Sequence, residues 1–540
     1  MILTIADSAV LVSIFNPILF GVVAGLWGYT SSYLDKDQEY YFLKRKLWNL
    51  IFLVSGVLGL GLWLLIPIFW AGFPVALLLI IGTLVGYHFY RNTEVPKSAQ
   101  WKLSLDSFRQ KWDDSQREKA QQSAAVRIIT SEGMGVEVPT GDDPMVPVYE
   151  ALESVLEFAI PRRAERIDML ATARETIVAV QIDGVKYPQT KLDGKIGLTL
   201  IDFLKKHAGM NVSDKRKKQT GKLKVLHEVP HDLELITSGT TRGLNLTILV
   251  DPASLKAIEL KNLGMLESQL KQFMPVFEDD AHAVIVVAPQ RQGMTTTLYS
   301  LVAHHDPYTT NIMSLEDEIS FELEGVNHGQ LKKGADAPTI ARQVESLLLR
   351  EPQIVFLGQL NAPDTAKIIA QGATEARFYL GLRQKDTLTA LKAWVQAVGD
   401  RQTAGHAIGA VISQRLLRKL CTTCRIAYQP DPALLKKLNL PMDRVSQLYK
   451  HSGQVMIKDE PQPCPDCVGL GYRGRRAVFE VMVLDDQTRG MIAEGQFDQL
   501  KSHLRKNRML YMQEAALNLA AEGVTSVSEI SRILASEKGK

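Results

Sequence analysis

The sequence predicts an α/β protein carried on three N-terminal membrane-spanning helices, and three observations predict it. Two long charge-free runs open the chain, strand and turn signals recur through mixed segments between about residues 145 and 420, and four cysteines stand in two close pairs further on. At 540 residues the chain is long enough for several domains, and 62 Lys and Arg against 59 Asp and Glu leave a net charge of only +3. That balance gives no sign of a nucleic-acid binder, so charge is read locally. The most basic run, Lys215 to Lys218, suits a solvated face better than a polyanion site.

No Asp, Glu, Lys or Arg occurs between Asp7 and Asp35, and none between Lys46 and Arg91. A bilayer core takes about 20 apolar residues per helix, so the second run holds two helices folded at Pro67–Pro74. The expected spans are 9–29, 48–68 and 72–90. Buried core helices fit runs this long and this free of charge badly. A signal peptide fits no better, because no basic residue precedes the first run and more spans follow it. Lys36, Lys44, Arg45 and Lys46 lie between the first two spans, and Arg91, Lys97 and Lys102 follow the third. The excess of positive flanks places the N-terminus outside and residues 91–540 in the cytoplasm. The bilayer is thus the first expected partner.

Residues 91–140 are polar and charged apart from an amphipathic pattern at Leu105, Phe108 and Trp112, and "SEGMGVEVPTGDDP" forms a linker. "IVAVQIDGVKY" carries a strand–turn–strand signal. After Gly523, Ser526 and Glu529 have the spacing of a helix capping box.

Cys421, Cys424, Cys464 and Cys467 form two C-x-x-C pairs separated by 39 residues. Two such pairs complete a four-thiolate shell for a structural zinc ion, with no open position for catalysis. Disulfides are disfavoured in the cytoplasm, and a redox C-x-x-C does not account for a second pair.

"VIVVAPQRQGMTTTLYS", residues 284–300, has the layout of a strand, a phosphate loop and a helix. A working loop, G-x-x-x-x-G-K-[ST], surrounds phosphates with backbone N–H groups, neutralises them with Lys and holds magnesium through the Ser or Thr hydroxyl. In this frame Gly293 and Thr295 stand as required, and Thr296 beside them is a further candidate for the nucleotide site. Ala288 takes the place of the first glycine and Met294 that of the lysine. Taken alone, an ordinary strand–turn–helix explains the segment equally well.

From about residue 150 onward the chain resembles the type II secretion and type IV pilus assembly ATPase family. The resemblance runs collinearly over about 390 residues. It rests on "IDGVKYPQTKLDGKIGLTLIDFLKKHAGMNVSDKRKKQTGKL", "NIMSLEDEISFELEGVNHGQ" with its acidic pair Glu316 and Asp317, and "EPQIVFLGQLNAPDTAKIIAQGA". "VISQRLLRKLCTTC", "CPDCVGLGYRGRRAVFEVM" and "GVTSVSEISRIL" complete it. The charge-free runs and the polar stretch after them give a membrane anchor (1–92), an addition to the common family plan, and a charged linker (93–144). The resemblance implies an N-terminal PAS-like α/β domain (145–255) and a RecA-like P-loop NTPase-type core (256–420). A zinc module (421–475) and a C-terminal helical subdomain (476–540) follow.

It also implies what is altered. The Walker B glutamate position holds Gln359, and that motif's Arg and Asp positions hold Asn361 and Ala362. The two histidine-box positions hold Arg377 and Gln384, and two nucleotide-facing arginine positions of the small domain hold Ala179 and Gln181. Arg291 stands where the family has Gly, which demands an awkward backbone angle.

A hydrogen bond to a charged group contributes about 1.5–3 kcal/mol, so losing the lysine and two arginines weakens triphosphate binding on the order of a thousandfold. Losing the carboxylate that polarises water costs about 10²–10⁴ in rate. The expectation is therefore a pseudo-ATPase, a structural or regulatory subunit at the bacterial inner membrane. It would join a homo- or hetero-oligomeric ring, by resemblance hexameric, with platform proteins and a catalytically active paralogue as partners. A slow ATPase using ATP and magnesium through Arg291, Thr295, Glu316 and Asp317 stays open, as does a sensor for another ligand.

Overall fold

Residues 15–66, 69–96, 100–101, 124–252, 258–278, 282–332, 334–360, 363–438 and 447–535 are described by a computed structural model. In the first unit, Met1–Glu118, helices α1 (Phe15–Tyr40), α2 (Arg45–Leu65) and α3 (Phe69–Glu94) form along the charge-free runs. Two of them, α2 and the Trp70–Glu94 part of α3, are long and apolar enough to cross a membrane.

The first expected span is met only in part. Residues 9–14 lie outside the described residues, and α1 runs on past residue 29 until Phe42 turns left-handed at φ 53°. Its polar end is held by an ion pair, Asp37 with Arg91 of α3 at 2.8 Å, to which Tyr87 adds a hydroxyl at 2.8 Å. The turn expected at Pro67–Pro74 is shorter, since α3 resumes at Phe69 and carries Pro74 inside it, at the loss of one backbone bond. The pattern at Leu105, Phe108 and Trp112 lies outside the described residues.

The second unit, Lys119–Lys540, is built on two sheets. The first collects β1 (Arg127–Ile129), β2 (Arg166–Ala171), β3 (Glu175–Ile182), β4 (Val185–Pro188), β5 (Leu192–Asp193), β6 (Gln219–His227), β7 (Val229–Thr240) and β8 (Gly243–Val250). Their order is β1-β6-β7-β8-β2-β3-β4, with β5 beside β3. Burial alternates along β2 and β7, the signature of an antiparallel sheet with one face covered. Helices α4 (Val146–Ala159) and α5 (Gly194–His207) supply the cover, and Leu152, Leu156, Leu200 and Leu204 join Ile167, Val178 and Leu246 in the core. Between β3 and β4, Asp183 and Gly184 are both left-handed at φ 49° and 77°, the two-residue hairpin turn that Asp-Gly favours.

The second sheet is mostly parallel. Helix α6 (Glu267–Phe273) leads into β9 (Ala283–Val287), α7 (Met294–Val302), β10 (Ile312–Glu316), β11 (Asn327–Gln330), α8 (Ala337–Leu348), β12 (Ile354–Leu357), α9 (Pro363–Gly372), β13 (Arg377–Leu382), α10 (Thr387–Val398), α11 (Arg401–His406), β14 (Ile408–Leu420) and, after two short strand pairs, β19 (Tyr472–Val483). Those pairs are β15 (Ile426–Tyr428) with β16 (Leu448–Lys450) and β17 (Gln454–Ile457) with β18 (Glu460–Pro463).

The main order is β11-β10-β12-β13-β9-β14-β19. Every residue of β9, β10 and β12 is buried, as expected of strands covered on both faces. Ile285 and Val287 point into one layer with Leu391 and Trp394, whereas Val284 and Val286 point into the other with Leu298 and Phe479.

Helices α12 (Asp486–Ala493), α13 (Phe497–Lys506), α14 (Met512–Ala521) and α15 (Val527–Ala535) close the chain. The boundary expected at residue 476 thus falls inside β19, an antiparallel partner of β14 in the core sheet.

Candidate functional site

β9 is the first strand of its sheet in sequence yet lies between β13 and β14, parallel to both. The loop after such a strand opens at a topological switch point, where α/β sheets place ligands. Here that loop is 288–293, leading into α7. Arg291 takes the left-handed conformation at φ 61°, as its place in the loop demands, and Gly293 follows at φ 83°.

No side chain caps α7, so its first N–H groups remain available to an anion. Thr295 and Thr296 are half-buried in its first turn. What the turn lacks is a cation. Met294 is 4% exposed and packs among Val286, Leu298 and Phe356. A Cβ added at Gly381 would lie 2.8 Å from its Cε, so the thioether lies on the bare backbone of β13.

The loop is braced by its neighbours. Gln414 of β14 donates to the Gln292 carbonyl at 2.8 Å and hydrogen-bonds Thr297. Its amide lies over Gly293, where a Cβ would meet it at 2.5 Å. The Gln292 side chain accepts from the Leu416 N–H at 2.7 Å, and Arg383 donates to the Ala288 and Pro289 carbonyls at 3.3 and 2.9 Å. Arg291 itself reaches the small domain, donating to Gln181 Oε1 at 3.3 Å.

Glu316 ends β10 beside Gly358, where a Cβ would stand 3.7 Å from it. Its carboxylate accepts from Tyr299 Oη at 2.6 Å and Ser314 Oγ at 2.9 Å, with His328 Nδ1 at 3.3 Å. The Leu323 N–H donates to His328 Nε2 at 2.9 Å. That nitrogen is therefore unprotonated, and the ring presents its proton at Nδ1. Burial, then the bond to Glu316, pushes the Tyr299 hydroxyl well above the usual tyrosine range.

Asp317 is exposed. Gln359 is half-buried just beyond β12 and supplies an amide in place of a carboxylate. Asn361 and Ala362 lie outside the described residues. Arg377 is turned away to the Phe277 carbonyl at 3.0 Å. ATP with magnesium fits this site poorly: the anion-binding turn is present, but position 294 offers no charge and position 359 no carboxylate.

The small sheet docks directly on the core. Asp183 accepts from the Gly474 N–H at 2.8 Å, Glu165 pairs with Arg475 at 2.7 Å, and Tyr187 accepts from Arg418 at 2.9 Å.

Cys421 follows β14 immediately and Cys464 and Cys467 precede β19, so one long hairpin brings both pairs together. The four sulfurs lie within 4.8 Å of one another and are buried. Cys421 and Cys464 are 3.8 Å apart, and Cys424 and Cys467 are 3.6 Å apart. Both exceed the disulfide length of about 2.05 Å. They match the edge of about 3.8 Å of a tetrahedron whose centre lies about 2.3 Å from each sulfur, the zinc–thiolate distance. The Gly471 N–H donates to Cys467 Sγ at 3.1 Å, a bond that stabilises a thiolate.

Sequence reasoning did not single out Gln292, Tyr299, Ser314, His328, Arg383 or Gln414. Only Tyr299 carried a local signal, as an aromatic residue inside the helix after the loop. Ser314 lies two residues from Glu316 without a motif to mark it, and Gln292, His328, Arg383 and Gln414 matter through contacts with segments distant in sequence.

The type II/IV secretion system protein profile matches residues 142–532. Type II secretion system protein E of Klebsiella pneumoniae is 25% identical over 452 residues, covering 82% of this chain and 88% of that protein. The type IV pilus assembly ATPase PilB of Thermus thermophilus is 26% identical over 384 residues, 70% of this chain, although the match spans only 42% of that protein. The ATPase DotB of Legionella pneumophila aligns with a TM-score of 0.50 at 14% identity, covering 74% of this chain and 98% of that one, a likeness of fold alone.

Proposed function

Because the chain belongs to the type II/IV secretion system protein family, we propose that it is a pseudo-ATPase, a membrane-anchored structural or regulatory subunit of a secretion or pilus assembly. One observation carries this reading. The side chain at the lysine position, Met294, is packed into the core against Gly381 instead of offering a charge to a phosphate. The rest supports it. Glu316 is engaged by three donors, position 359 is an amide, and Arg291 is tied to Gln181.

Three spans, α2, α3 and an N-terminal one including α1, anchor the chain as a multi-pass protein of the bacterial inner membrane, with the second unit cytoplasmic. Cys421, Cys424, Cys464 and Cys467 hold a structural zinc ion, which supplies a closed cross-link and no reactive position. The partners are platform proteins of the assembly and a catalytically active paralogue, in a homo- or hetero-oligomeric ring.

The test is calorimetric titration of the detergent-solubilised full chain with ATP and magnesium, beside the Met294→Lys, Gln359→Glu double variant. The expected native affinity is millimolar or absent. Micromolar binding by the native chain, followed by turnover, overturns the reading. It would favour the slow motor, for which the uncapped start of α7 with Gly293 and Thr295 is the remaining basis.

A further inference from the structure

A cleft of about 570 Å³ opens where the core sheet ends, between its outermost strand β11 and helix α8. One wall includes bare backbone at Gly329, where a Cβ would stand 2.9 Å from the Ser314 carbonyl oxygen. Gln343, Leu347 and Arg350 recur at helical spacing on the other wall. Leu323 and Val326, in the segment before β11, join Leu347 in the apolar part of the lining.

Polar groups with nothing to bind gather in this cleft. Gln343 Oε1 is buried and accepts no hydrogen bond among the described residues. A buried acceptor left unpaired is costly, so a native fold that keeps one draws its donor from elsewhere. Glu322 and Arg350 are exposed, and neither has an ion pair or a side-chain hydrogen bond among the described residues, with the other or with any neighbour. The backbone adds to this. The Leu331 N–H donates to the Glu316 carbonyl at 2.8 Å, so Leu331 and Gly329 face β10. By alternation His328 and Gln330 turn their N–H and C=O groups to the open edge of the sheet.

We infer that the cleft binds a zwitterion with an apolar side chain, an amino acid or a short peptide with free ends. Its ammonium meets Glu322 and Gln343 Oε1, and its carboxylate meets the Arg350 guanidinium, which suits a planar anion. Its side chain covers Leu323, Val326 and Leu347. A phosphate ester would instead set negative charge against Glu322 and bring no donor to Gln343. A free amino acid and a short peptide share this chemistry. The peptide could also pair its backbone with His328 and Gln330, as an added strand does. None of these groups belongs to the loop 288–293, so the inference does not rest on the fate of nucleotide binding.

The experiment is calorimetric titration of the detergent-solubilised full chain with L-leucine and with L-leucyl-L-leucine, which separates the two sources. At least one of them is expected to bind once per chain with a Kd below about 1 mM. The N-acetyl form of that ligand lacks the ammonium and its amide lacks the carboxylate. Each is expected to bind about tenfold or more weakly, the worth of one hydrogen bond to a charged group. The glycine counterpart, without the apolar side chain, is expected to lose about tenfold or more as well. Arg350→Gln is expected to weaken the zwitterion as the amide does and to weaken the amide no further. Glu322→Gln is expected to stand in the same relation to the N-acetyl form. Both substitutions are at exposed positions, so the variants keep the fold.

Absence of saturable binding by both zwitterions up to about 10 mM overturns the inference. Binding that either variant leaves unchanged also overturns it, because one of the two charges is then unused or the ligand lies elsewhere on the chain. Equal affinity for a blocked form, or for the glycine counterpart, overturns it too, since the cleft then does not read both charges and an apolar side chain.

Discussion

Glu529, in the first turn of the last helix, is 1% exposed. It accepts from the Arg418 backbone at 3.1 Å, from the Arg418 guanidinium at 2.7 Å and from Arg532 at 2.6 Å. Burial works to raise its pKa, but the Arg532 and Arg418 guanidinium groups hold it down to about 2. A folded value below the unfolded one of about 4.3 means stabilisation that is complete above that pH and lost as pH falls toward 2. The difference corresponds to roughly 3 kcal/mol. Glu529→Gln is expected to lower the unfolding free energy measured in urea at pH 7 by about that amount, with the gap to the native chain roughly halved at pH 3; a gap constant from pH 7 to 3 would contradict the assignment. At this scale the sequence was half legible. Ser526 does cap, accepting from the Glu529 N–H at 3.2 Å, but the Glu529 side chain leaves the box because two guanidinium groups outbid one backbone N–H. The strained angle at Arg291 was legible, since a phosphate-loop frame leaves that position few conformations. The burial of Met294 was not, because it depends on Gly381 in another strand.

Among elements, β14 and β19 show where local pattern stops informing. The helical reading from residue 476 overlooked the end of β19 because Glu480 interrupts its apolar run. That carboxylate is buried to serve elsewhere, accepting from the Met512 N–H at 2.9 Å and the Thr387 N–H at 3.3 Å at the starts of two helices. The cysteine pairs were legible because C-x-x-C is a local signal and the hairpin needs only to close. The ladder from Ala410↔Val483 to Leu420↔Tyr472 holds that hairpin independently of any metal. One zinc per chain is therefore expected by elemental analysis. Cys464→Ser is expected to abolish it and to raise hydrogen exchange across 421–471, while β14 and β19 stay protected. Retention of metal by that variant, or melting of the whole sheet, would be inconsistent with a local structural ion.

For the whole molecule, two α/β layers and the apolar N-terminal helices were visible in composition and periodicity, but the way the small sheet meets the core was not. Asp183 and Gly474 are 291 residues apart, and no pattern within either segment announces the other. The bond works because the Asp183–Gly184 turn projects a carboxylate at the hairpin tip while Gly474, at φ 75°, opens β19 without a side chain in the way. With Glu165–Arg475, Tyr187–Arg418 and Gln181–Arg291, side chains tie the small sheet to the core, and one of these bonds is made by Arg291 of the loop itself. In a working motor a bound nucleotide would shift such an equilibrium by its preference for one arrangement; a ligand without that preference shifts nothing. Hydrogen exchange of 177–187 and 472–478 in the full chain is therefore expected to be unchanged by ATP and magnesium at about 50 μM, well below the expected affinity. The Asp183→Ala, Glu165→Ala double variant is expected to exchange faster in both segments, several-fold at least, if each lost bond contributes about 1 kcal/mol or more. Protection of the native segments on adding nucleotide would mean that the loop still senses phosphate, and the pseudo-ATPase reading would fall with it.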